Sequence, residues 1–71
     1  MKRELQIVRA LKDITPKIIK GTTGTIVWVY PDDTYEVEFI STNGHTMDVV
    51  TVSGKDIEDC TVNNEYNFFK E

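Results

Sequence analysis

At 71 residues, with 39% hydrophobic side chains, the chain is long enough for one small domain and too apolar to stay disordered. Eight Lys and Arg against twelve Asp and Glu give a formal charge of −4, which argues against a nucleic-acid binder, because neutralising phosphates normally takes a basic face. No apolar run approaches the roughly 20 residues of a membrane-spanning helix, and the single Cys60 excludes an internal disulfide or a multi-cysteine zinc site.

The start, Met1-Lys2-Arg3-Glu4-Leu5, is charged but has no apolar stretch behind it, so no secretory signal is expected and a bacterial-type cytoplasm is the expected location. Leu5 to Lys12 is expected to form a strand, with Leu5, Ile7, Arg9 and Leu11 on one face and Gln6, Val8, Ala10 and Lys12 on the other. A short helix competes, since Leu, Ala, Lys and Arg are good helix formers. Asp13 to Gly24 reads as a loop: Pro16 pushes Thr15 out of the helical region, and Gly21 and Gly24 permit tight turns into the next strand.

Thr25 to Tyr30 consists of strong strand formers. Pro31-Asp32-Asp33-Thr34 is turn chemistry, and Tyr35 to Phe39 alternates, with Tyr35, Val37 and Phe39 inward and Glu36 and Glu38 outward. Asn43-Gly44 is a strong hairpin signal, so His45 to Val52 is the next strand. Ser53-Gly54 breaks it, and Lys55 to Val62 suits one helical turn running into a short last strand. Residues 63–71 form a polar, aromatic tail, either packed on the domain through Tyr66, Phe68 and Phe69 or flexible. The expected fold is all-β: a small five-stranded SH3-like barrel over residues 1–62, with one helical turn before the last strand. Closure would remove exposed edges; an OB-like barrel or an open β-meander is the alternative.

The stretch from Gly21 to Phe39, followed by Asn43 to Ile57, resembles a small bacterial family known as domain of unknown function 4926. The resemblance rests on Gly21, Gly24-Thr25-Ile26-Val27, Val29-Tyr30, Tyr35-Glu36-Val37-Glu38-Phe39, Gly44, Thr46, Val49-Val50-Thr51-Val52 and Asp56-Ile57. It covers about residues 5 to 62 and implies an SH3-like barrel, with no active site to carry over. It also implies a partner of a neighbouring gene's product, in an immunity or antitoxin-like role. The Gly-x-x-Gly-Thr turn is similar to that of KOW-type barrels, some of which bind RNA, and this gives an alternative nucleic-acid or ribosome-associated reading.

Two registers are open to Trp28. Pairing Tyr30 with Tyr35 sets Trp28 opposite Val37 in the core; a shift of one residue puts Val27 and Val29 inside and Trp28 outside, beside Glu36 and Glu38. The resembling family usually carries a polar residue at this position, which favours the outward register. An exposed tryptophan is a natural binding anchor, so Trp28, Asp32, Asp33, Glu36 and Glu38 form the candidate surface for a protein partner of basic character. The bland alternative for the carboxylates is a solvated strand face. Residues from Gly21 onward hold only Lys55 and Lys70 against ten acids, whereas Lys2, Arg3, Arg9, Lys12, Lys17 and Lys20 gather before them. The chain is thus lopsided in charge. No catalytic set is recognisable: His45 reads as an exposed turn residue and Cys60 as a small buried hydrophobe. No cofactor and no metal site are indicated, the expected function is non-enzymatic, and self-association through an edge strand or the tail is compatible with it.

Overall fold

The β-branched and aromatic runs form strands, and the computed structural model describes residues 2–60 of the chain. It contains β1 (Ile7–Ala10), β2 (Thr23–Tyr30), β3 (Thr34–Ile40), β4 (Thr46–Ser53), a 3-10 turn (Gly54–Asp56) and β5 (Ile57–Asp59). All neighbouring strands are antiparallel, in one sheet of order β4-β3-β2-β1-β5. The all-β expectation holds, as does the single helical turn before the last strand. The expected tail, residues 63–71, lies outside the described residues.

Closure into a barrel does not hold. Strands β4 and β5 sit at opposite edges of the sheet with no ladder between them. A flat five-stranded sheet would separate its edge strands by about 19 Å. The four residue steps from Ser53 to Ile57 can span at most about 14 Å. The sheet must therefore curl strongly round its core while its edges stay unpaired. The curled concave side carries that core: Val8 and Ala10 from β1, Ile26 from β2, Tyr35, Val37 and Phe39 from β3, Val52 from β4 and Ile57 from β5. Ile18 completes it from the β1–β2 loop. That loop is held by bonds from the Lys20 amide to Asp13 Oδ1 (2.8 Å) and from the Ile18 amide to Thr15 Oγ1 (3.1 Å).

Strand β2 departs from simple alternation. Opposite β3 it pairs Tyr30 with Thr34, Val29 with Tyr35 and Trp28 with Glu36, then shifts so that Ile26, not Val27, faces Val37. A β-bulge at Val27 supplies the extra residue. Ile26 and Trp28, expected to share a face, are thereby separated: Ile26 is fully buried and Trp28 is 54% exposed. Val27, which the outward register would bury, is exposed instead, and Val29 packs against the core. The bulge is favourable because it lets two apolar residues three apart, Ile26 and Val29, both reach the interior.

Gly24 also corrects the reading of the sequence. It lies within β2, opposite Phe39, and not in a turn. A Cβ there would come within 2.7 Å of the Glu38 carbonyl oxygen and 2.8 Å of Val37 Cγ1, so glycine is needed for close approach of two strands. Gly21, with φ of +93°, is the turn glycine.

Candidate functional site

Because Trp28 points away from the core, the convex face of the sheet is where the candidate residues can meet. Two rows of side chains cross it. In one, Trp28 of β2, Glu36 of β3 and Thr51 of β4 stand side by side; in the next, Ile7, Thr25, Glu38 and Val49 do so. Side chains directly opposite on antiparallel strands have Cβ atoms about 5 Å apart. Toward β5 the face carries Arg9 and Glu58; its central part mixes exposed apolar groups, Ile7, Val27, Trp28 and Val49, with two carboxylates, Glu36 and Glu38.

Both carboxylates are held by hydroxyls. Glu36 Oε2 accepts from Thr51 Oγ1 at 2.6 Å and from the Tyr30 hydroxyl at 2.8 Å, and Glu38 Oε2 accepts from Thr46 Oγ1 at 2.6 Å. The Thr51 and then the Tyr30 hydrogen bond lower the Glu36 pKa from its ordinary value of 4.5, because both favour the ionised form. The same bond raises the Tyr30 pKa. A hydroxyl donor orients a carboxylate without cancelling its charge, as a lysine or arginine would. Among the described residues, neither carboxylate belongs to an ion pair: Arg9 pairs with Glu58 at 2.9 Å, on the same face but on β1 and β5, and Lys12 pairs with Asp56 at 3.6 Å.

Tyr30 was not among the expected site residues, and its placement is informative. Its cross-strand partner is Thr34, yet its hydroxyl reaches Glu36, two residues further along β3. The ring must therefore lean back along β2 toward Trp28. Tyr30, Pro31, Asp32, Thr34 and Thr51 line a shallow open groove at this end of the face. Asp32 is thus near the site, on the exposed turn between β2 and β3.

Asp33 is placed differently. With φ of +62° it makes the left-handed residue of the turn, a conformation that aspartate tolerates better than most side chains. Its Oδ1 accepts from the hydroxyl of the fully buried Tyr35, and its carbonyl accepts from the Gly54 amide at 2.8 Å. The Tyr35 hydroxyl in turn accepts from the Lys2 amide at 3.1 Å. The Asp33 bond, then burial, raise the Tyr35 pKa. A side chain at Gly54 would collide with the Asp33 carboxylate. Asp33 thus ties the β2–β3 turn to the 3-10 turn and to the N-terminal segment.

The basic N-terminal third offers less free charge than its composition suggests. Arg9 and Lys12 pair with acids, and Lys2 Nζ donates to the Gly54 carbonyl at 3.4 Å. His45 is exposed in the β3–β4 loop, whereas Cys60 is buried just after β5, so the two lie at opposite edges of the sheet. No helix in the described residues is long and apolar enough to cross a membrane.

Comparison with known proteins gives one match: the family model described as Domain of unknown function (DUF4926) fits residues 4–59. No curated protein and no solved structure matches the chain significantly.

Proposed function

The chain belongs to the DUF4926 family, whose function is unknown, and on its own geometry we propose that it is a non-enzymatic protein-interaction module. The observation that carries this reading is the pairing of a half-exposed Trp28 with Glu36, on a face that also exposes Val27, Val49 and Glu38. Burial of an aromatic anchor supplies affinity, and uncompensated carboxylates speed encounter with a basic partner. Trp28, Glu36 and Glu38 form the centre of the binding face, with Asp32 at its rim. Asp33 contributes through the shape of the turn.

The proposed partner is a neighbouring gene's product in a bacterial cytoplasm, and the immunity or antitoxin-like role rests on the family resemblance. The test is co-purification of that product with the tagged chain. Reversing charge at Glu36 and Glu38 together, or Trp28→Ala, weakens capture. If both variants remain folded and retain the product as well as the unaltered chain does, this face is not the interface.

A further inference from the structure

The corner formed by Trp28, Tyr30 and Glu36 has a chemistry narrower than "acidic and apolar". Glu36 stands directly opposite Trp28, and the Tyr30 ring leans toward the same point. Both hydroxyl donors, from Tyr30 and Thr51, use Oε2, and no described hydrogen bond uses Oε1. Two electron-rich rings flanking an anchored, charged carboxylate favour a cation of organic character.

We propose that this corner receives an arginine side chain of the protein partner. A planar guanidinium can stack on the exposed indole of Trp28 while turning an N–H edge toward Glu36 Oε1. A lysine ammonium offers a point charge without the stacking surface. A metal ion would find one carboxylate, with its second oxygen already accepting two hydroxyls. The fixed position of Glu36 also limits the entropy lost on binding, because Thr51 and Tyr30 have already restricted its rotamer. The Tyr30 hydroxyl is thus a positioning group, acting on the cation through Glu36. Its ring and that of Trp28 make the contact.

This inference rests on the same face as the proposed function, and the two can fail separately. The probes are N-acetyl-arginine amide and its neutral isostere N-acetyl-citrulline amide, titrated into the 15N-labelled protein while the indole N–H of Trp28, the one tryptophan of the chain, is followed by NMR. The arginine compound gives a saturable shift with affinity on the order of millimolar, as fits one side chain making two contacts. The citrulline compound gives none. Glu36→Gln weakens arginine binding by about tenfold, consistent with loss of a charge-assisted bond, while Glu38→Gln leaves it within about twofold. Equal shifts with the two compounds, or an unchanged titration in Glu36→Gln, overturn the proposal. The compound comparison uses the unaltered protein, so it stands even if a variant fails to fold. Capture of the neighbouring product that depends on Trp28, together with no response to arginine, overturns the arginine assignment and leaves the binding face standing. Capture indifferent to Trp28, Glu36 and Glu38 removes the face itself.

Discussion

The hydroxyl of Tyr30 bonds Glu36 at 2.8 Å, although the residue opposite Tyr30 in the sheet is Thr34. That diagonal bond, with the straight one from Thr51, makes Glu36 a carboxylate oriented by neutral groups on both flanking strands. Its pKa lies below 4.5 in the folded chain. A lowered folded pKa contributes stability that is present above the unfolded value and is lost as pH falls through the folded one. The Glu36 contribution is therefore whole near neutrality, begins to fall near pH 4.5 and is lost only as pH drops through the lower folded value. Following the Glu36 side-chain carboxyl by 13C NMR, Thr51→Val moves its titration upward more than Tyr30→Phe does, since the Thr51 bond is the larger cause. No movement in either variant contradicts the hydrogen-bond account.

Trp28 is legible as an exposed residue only once the pairing of β2 with β3 is known. The sequence offered two uniform registers, and the protein uses neither throughout. Residues 28 to 30 follow the outward one, and the bulge at Val27 shifts the rest by one. Alternation cannot reveal a bulge within a run as uniformly apolar as Thr25 to Tyr30. By contrast, Glu36 opposite Thr51 could be counted from Asn43-Gly44: a two-residue loop there pairs Thr42 with His45 and, counting outward, Glu36 with Thr51. The loop actually closes between Ser41 and His45, and a compensating shift at Phe39/Ile40 restores the count. Gly24 was misread as a turn residue, and the bond that Asp33 makes from its turn was not foreseen, for a shared reason. Each is a turn-type residue by composition, but its constraint is tertiary: a facing strand for Gly24, a buried tyrosine hydroxyl for Asp33.

Gly24→Ala places a methyl group against the backbone of β3, where neither the Glu38 carbonyl nor the Phe39 Cα can yield. Urea unfolding of this variant shows a loss of about 1–3 kcal/mol, the usual range for overpacking. Stability equal to that of the unaltered chain would mean that β2 and β3 are further apart than described.

The two neighbouring aspartates separate in their effects. Asp33→Ala leaves the buried Tyr35 hydroxyl without its acceptor and lowers stability by about 1–3 kcal/mol. Asp32→Ala, on the exposed turn, changes it by less than about 0.5 kcal/mol. Equal losses would contradict the structural role given to Asp33. At high pH the sign is the reverse of that for Glu36: the raised Tyr35 pKa gives stability present below about pH 10 that is lost as pH rises through the folded value.

Cys60 is buried, and loss of solvation pushes its thiol pKa up, so little thiolate is available to react. Its modification by a chromogenic disulfide reagent at neutral pH is slow in the folded chain and rapid in denaturant. Fast modification without denaturant would show that the end of β5 opens readily.

The central claim, that Trp28, Glu36 and Glu38 present an uncompensated acidic and aromatic face to a basic partner, is tested most directly by association kinetics over a range of salt. The account predicts that the rate constant for binding the neighbouring gene's product falls as ionic strength rises. In a Glu36→Gln, Glu38→Gln double variant the rate is lower at low salt and its salt dependence is shallower. A salt-independent rate in the unaltered chain, or the same slope in both proteins, would contradict it.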